Sequence, residues 1–479
     1  MTFWTPGIGS NRALRGMRRI LMLAGPGVAL LGIWAVAVFL RLLIPLFLIA
    51  SQTPDAIHEG FQTACYTETA FLTNLSLVWL GKHIDALAYP SQWTSSVKMI
   101  IQGVIDSSGC FLVFGMLRIR FPAGTALRGA ALYAIWLPSL FYSSQILGEA
   151  YTPILMLAFG YAIMRSVAEK QGYAWYGIAG LVCAVVAYTR FDNILILPAF
   201  ALFILVMHWR QKRQAAFRVG ILLAGFALSC LLVHKTIASV IGPAGFTHSM
   251  NMTSPSDRKP SIGVALYNAL GEYPSTYAGL RLFSDCVVYD YAKARSALYE
   301  SNGDKTYKVL KKMLGNNALL AAYVREVIVA KPILYADWII TRTFCYLPAN
   351  PFFACIIKFV TGPHRGEFMG VWYNQFNHKF SQRYQGLKYL DYTIFAVFVI
   401  GVWTCRRDAA MLSLMTIYFG VLVGHVFTQC GEAFHSLEQE RVFMDPRYLL
   451  GMVSIWPVFL PLGFTQLKDF VHRISLSRT

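Results

Sequence analysis

Apolar runs of about twenty residues alternate with short polar or basic segments along most of the chain. The first run, Ile20 to Ala50, is almost wholly apolar and long enough to cross a hydrocarbon core about 30 Å thick. Arg12, Arg15, Arg18 and Arg19 precede it, which places the N-terminus on the cytoplasmic side. It is too long for a signal-peptide core and reads as an uncleaved first span.

The pattern predicts ten spans, at roughly 22–49, 97–117, 129–147, 150–166, 174–190, 191–208, 219–241, 389–404, 409–428 and 447–466. Arg118, Arg120, Arg165, Lys170, Arg210, Lys212, Arg213, Arg406 and Arg407 all fall in the loops this scheme puts inside. Both termini are then cytoplasmic. Residues 51–95 are mixed and aromatic, and are expected outside as amphipathic interfacial helices. Residues 242–388 form a long outer stretch of lower hydropathy. Helical periodicity near 321–328 predicts short helices on the membrane surface there. Within it, 344–361 is apolar but short and broken by Pro348 and Pro351, so it is either re-entrant or one of a pair of extra spans. The chain divides into a module at 1–241, the outer region 242–388 and the last helices at 389–479.

Composition narrows this to a polytopic all-α membrane protein. Of 479 residues, 56% are hydrophobic and 14% are charged, where a soluble chain carries about a quarter charged. The net charge of +18 sits in short clusters between apolar runs. That is the positive-inside pattern rather than a nucleic-acid footprint. The nine cysteines form no C-x-x-C. Cys65, Cys286 and Cys430 fall on the outer side, where pairing is chemically open.

Candidate chemistry concentrates on that outer side. Asp55 and Glu59 are four apart, so on a helix they share a face with His58 between them. Two carboxylates in a partly desolvated cleft can divide labour, one deprotonating a hydroxyl while the other orients it or holds a cation. They would equally serve as helix caps, with Thr53. Glu149 sits at the outer turn between two spans, as a site group or as a cap. Arg190, with Asp192 nearby, and Arg447, beside Tyr448, lie at outer span ends. There an arginine either snorkels or grips a phosphate. No histidine pair has H-x-x-x-H spacing, so a zinc site of that kind is not indicated. Asp106 is mid-span, as a helix-packing hydrogen bonder or a proton relay. Arg41 lies in the outer half of the first span.

Taken in order, these residues resemble the GT-C superfamily of membrane glycosyltransferases, which use polyprenyl-phosphate-linked sugars. The nearest pattern is that of the protein O-mannosyltransferase, aminoarabinose transferase and bacterial lipopolysaccharide-core sugar transferase branches. Their first outer loop carries an acidic motif such as D-E-x-H-x-G. Pro54-Asp55, His58 and Gly60 match it, with Ala56 where the second acid would stand and Glu59 one turn along. A second registration, His58-Glu59-Gly60-Phe61-Gln62, resembles the D-E-x-F-Q form and makes Glu59 the principal acid. Leu132 to Ser139, then Tyr142-Ser143-Ser144 and Gly148-Glu149, is similar to the third span and its outer loop. Ala179-Gly180 through Thr189-Arg190-Phe191-Asp192 resembles a span ending in a T-R motif. Asp445-Pro446-Arg447-Tyr448 is like the start of a late span.

The resemblance implies a GT-C-like fold with about ten to twelve transmembrane helices. It implies inverting transfer of a sugar from a polyprenyl phosphate to an acceptor hydroxyl on a lipid, glycan or protein, at the outer face. Asp55, Glu59 and Glu149 would be catalytic. Arg190, Arg447, Arg258 and Lys259 would hold the donor phosphate. His58, Tyr448 and Tyr142 would touch substrate. The best-matching branch points to a bacterial inner membrane with a periplasmic site and lipids as the surroundings. No dense carboxylate cluster demands a metal, and a divalent cation stays open as cofactor. The rival readings are a transporter or flippase of lipid-linked or anionic solutes and a surface-polysaccharide polymerase or ligase.

Overall fold

A computed structural model describes residues 25–50, 92–143, 151–169, 172–189, 191–241, 385–428 and 450–477, with isolated positions between 329 and 343. Among the described residues every regular element is helical and none is a strand. α1 (Gly25–Ala50) starts at Gly25, whose φ of 72° suits the residue without a side chain. α2 (Gln92–Ser107) passes through a single turn at Ser108 into α3 (Gly109–Arg118). The chain turns at Phe121-Pro122, and Pro122 opens α4 (Ala123–Ala134). Next come α5 (Leu137–Ser143), α6 (Thr152–Ala168) with Pro153 in its first turn, and α7 (Tyr173–Thr189). A 3₁₀ turn, Phe191–Leu195, leads into α8 (Ile196–Met207), and α9 is Lys212–Ile241. After residues 242–384 come α10 (Gln385–Thr404), α11 (Ala409–Ser413), α12 (Met415–Thr428), α13 (Leu450–Val453) and α14 (Trp456–Ser477).

Among the described residues, four stretches are long and apolar enough to cross a membrane: Gly25–Leu43, Ile100–Arg118, Lys212–Val233 and Ala409–Val426. Shorter apolar helices at Thr152–Ala168, Tyr173–Ala187, Asn193–Met207 and Tyr389–Thr404 accompany them. The outward face of α9 exposes Leu223, Leu228, Leu231 and Leu232, as suits a surface solvated by lipid rather than water.

Helix boundaries depart from the expected spans in three places. α9 begins at Lys212 instead of 219, so part of the basic loop is helical. The third span is split, because Pro138 has no N–H and clashes with a continuing helix. α14 runs to Ser477 rather than stopping near 466. Its last turns are exposed, and Phe464, Leu467, Val471 and Ile474 recur at helical spacing, so the helix continues past the apolar run. The outer region, including the 344–361 segment, lies largely outside the described residues, as does Cys65, Cys286 and Cys430 chemistry.

Backbones meet where glycines permit it. A Cβ on Gly180 of α7 would sit 2.0 Å from the Leu222 carbonyl of α9, and one on Gly225 would sit 2.2 Å from the Gly177 carbonyl. α10 and α14 repeat this, with Gly401 against the Phe459 carbonyl and Gly463 against that of Val397. Without a hydrophobic drive between helices in lipid, such close approach supplies van der Waals contact and holds the pair. The buried Trp456 stacks on Phe398 (centroids 5.1 Å apart) and reaches Trp136 at 6.1 Å. One core therefore joins the last helices to the first 241 residues.

Candidate functional site

The mid-depth polar cluster is built from the break that Pro138 makes. A helix running through Ala134 would have its carbonyl accept from residue 138, which has no N–H to give. The guanidinium of Arg41, from α1, takes that place. Arg41 Nη1 donates to the Ala134 carbonyl at 3.1 Å and to the Ala37 carbonyl at 3.3 Å. Its Nη2 donates to the Tyr133 carbonyl at 3.3 Å and to Ser139 Oγ at 3.1 Å. Its Nε donates to Asp106 Oδ2 at 2.6 Å. All five guanidinium hydrogens are thus directed at acceptors.

Asp106 is equally complete. Tyr133 Oη donates to Oδ1 at 2.8 Å, and the Ser139 hydroxyl donates to Oδ2. Arg41 and Asp106 are fully buried, and the guanidinium also lies 5.3 Å from the Tyr133 ring centroid. Space for this comes from small residues: a Cβ on Gly109 would lie 2.3 Å from the Tyr133 ring, and one on Gly103 would lie 3.2 Å from Arg41 Cβ. About 18 Å of helix separates Asp106 from Arg118 at 1.5 Å per residue, which is near mid-depth in a hydrocarbon core about 30 Å thick whose edge lies at Arg118. A buried pair is tolerated there only when each partner satisfies the other. Of the two roles open to Asp106, the geometry favours packing: every donor and acceptor is engaged in tying α1, α2, α4 and α5 together.

Above this clamp the described helix ends converge. Tyr142 is buried and edge-on to Phe141, and both pack with Leu450 of α13. A Cβ on Gly451 would press within 2.6 Å of Met156, one turn into α6. Thr152, at the start of α6, has its hydroxyl 3.4 Å from that of Thr189, at the end of α7. Thr152 follows Glu149 by three residues, Thr189 immediately precedes Arg190, and Leu450 follows Arg447 by three. Thr152, Thr189 and Leu450 thus lie at ends of helices that meet in turn: α5 with α13, α13 with α6, and α6 with α7. Asp55, Glu59, His58, Glu149, Arg190, Arg258, Lys259, Arg447 and Tyr448 themselves lie outside the described residues. Tyr142 is described, buried against Phe141 and Leu450. Among the described residues no group of three or more His, Cys, Asp or Glu could hold a metal.

The opposite end is basic. Arg120 pairs with Asp408 at 3.1 Å, and Asp408 also caps α11 by accepting from Ala410 N and Met411 N. Arg165 pairs with Glu169, which accepts from Trp175 Nε1 at 3.0 Å. His208, in the turn before α9, contacts Arg218. Partial burial and the neighbouring Arg218 charge hold the imidazole pKa below its usual value.

Sequence reasoning singled out Arg41 and Asp106 separately and did not join them. It missed Tyr133 and Ser139 as their partners, and it missed Gln102. The available signals were a proline inside an apolar span and the i, i+4 spacing of Gln102 and Asp106. No protein-family model matches the chain, and no curated protein matches it significantly.

Proposed function

We propose that the protein is an integral-membrane glycosyltransferase that moves a sugar from a polyprenyl phosphate to an acceptor hydroxyl at the outer face. The observation that carries this reading is the meeting of helix ends, Thr152 with Thr189 and Leu450 with Tyr142, beside which Glu149, Arg190 and Arg447 stand in the sequence. Carboxylates and arginines drawn from separate spans are what the transfer requires. A carboxylate removes the acceptor proton as the hydroxyl oxygen attacks the anomeric carbon. The bond to the phosphate oxygen breaks, and guanidinium groups stabilise the departing phosphate. A single displacement inverts the anomeric centre. Asp55 or Glu59 is the base in this account, and the Arg41 clamp fixes α1, which leads toward them, against α5, which leads toward Glu149.

A transporter is the second reading, favoured by a charged pair near mid-membrane. A pair that carries cargo or protons needs a vacant position, whereas Arg41 and Asp106 have none. Reconstituted protein separates the two readings. Given labelled polyprenyl-phosphate sugars and a membrane extract as acceptor source, a glycosyltransferase releases free polyprenyl phosphate and leaves label on a new product. A transporter changes the leaflet of the donor and leaves it intact.

A further inference from the structure

Gln102 is 1% exposed, and among the described residues neither its carboxamide oxygen nor its nitrogen has a hydrogen-bond partner. It is one helical turn from Asp106 on the same face of α2, on the side away from Arg118. About 24 Å of helix separates it from Arg118, which sets it near the outer boundary of a core about 30 Å thick. α2 packs on α5, and one turn above the contact of Asp106 with Ser139 brings Gln102 to the level of Tyr142 and Ser143. Both of those residues are buried. Gln102 is therefore a buried polar group between the closed clamp and the end of α5 where Tyr142 packs with Leu450.

A buried amide without partners is destabilising, and it is the group that a ligand can satisfy. Its chemistry selects the ligand. A carboxamide offers a donor and an acceptor side by side and no charge, which matches a neutral hydroxyl that both donates and accepts. A phosphate offers acceptors alone and would leave the amide oxygen unmatched. We infer that Gln102 forms the floor of the sugar subsite and binds a hydroxyl of the transferred sugar, deepening the glycosyltransferase reading on which it rests. Gln102 then sets which sugar is taken.

The test uses full-length protein in nanodiscs, as wild type, Gln102→Leu and Gln102→Asn. The probes are undecaprenyl-phosphate mannose, glucose, galactose and arabinose, with a membrane extract as acceptor source. Transfer kinetics and donor-induced thermal shift are both read. Gln102→Leu removes an unsatisfied polar group, so its ligand-free melting temperature is equal to or above wild type. The preferred donor's KM rises about tenfold, kcat changes little, its thermal shift shrinks, and discrimination among the four sugars falls. Gln102→Asn retains part of the selectivity. If wild type transfers sugar and Gln102→Leu keeps the same KM, thermal shift and selectivity, the assignment of Gln102 is wrong and the glycosyltransferase reading stands. If Gln102→Leu instead melts well below wild type, the amide is structural and the assignment is wrong. If no donor is transferred by wild type or shifts its melting, the reading of function fails and the assignment falls with it.

Discussion

Asp106 is held by three donors from three helices, and Arg41 gives its five hydrogens to acceptors on α1, α2, α4 and α5. Removing one partner leaves the other buried and uncompensated, which costs about 3–5 kcal/mol, whereas an apolar replacement of both is often neutral. Asp106→Leu should therefore be severely destabilised, and Arg41→Met with Asp106→Leu should recover most of the loss. Thermal unfolding of the four variants in a double-mutant cycle measures the coupling, and additive losses would contradict the clamp. At the basic end, His208 titrates below its usual value in the folded protein. The unfolded chain then binds more protons than the folded one below about pH 6.5, so stability falls as pH drops through that value. The melting temperature of wild type should decline between pH 7 and 5 by an increment that His208→Gln lacks. Asp106 was legible as a buried polar group in an apolar run. Its partners were not, because a carbonyl freed by Pro138 on another helix leaves no mark on the spacing around Arg41.

Helices were the most legible level. A twenty-residue apolar run between basic clusters leaves the backbone little choice, since only a helix satisfies its own hydrogen bonds in lipid. Ends were less legible: α14 continues to Ser477 because nothing after Leu462 breaks it and an apolar stripe persists. Which helices touch was not legible from periodicity, since lipid-facing and protein-facing sides are both apolar. The structure shows that contact follows glycine. Gly463→Ala places a methyl 2.0 Å from the Val397 carbonyl, so α10 and α14 must separate. A loss of about 1–3 kcal/mol is expected. Gly220→Ala, with nothing within 4 Å of its Cβ, should be neutral or stabilising by up to about 1 kcal/mol. Parallel thermal melts check both signs, and equal effects would remove the argument from close backbone contact.

Across the molecule, one core ties the final helices to the first seven predicted spans, with Trp456 stacked on Phe398 and close to Trp136. The basic residues Arg120, Arg165, Arg218, Arg406 and Arg407 gather at one end, and the packing of Tyr142 with Leu450 lies toward the other. In the proposed reaction a sugar is transferred at that second end, with a carboxylate as the base. Labelled sugar transfer from the polyprenyl-phosphate panel should be compared for wild type, Asp55→Asn, Glu59→Gln and Glu149→Gln in reconstituted membranes. Wild type is expected to turn over one donor, and loss of the base to lower kcat by about 10²–10⁴-fold at unchanged melting temperature. Turnover that persists in all three variants, or its absence in wild type beside movement of intact donor between leaflets, would contradict that reaction.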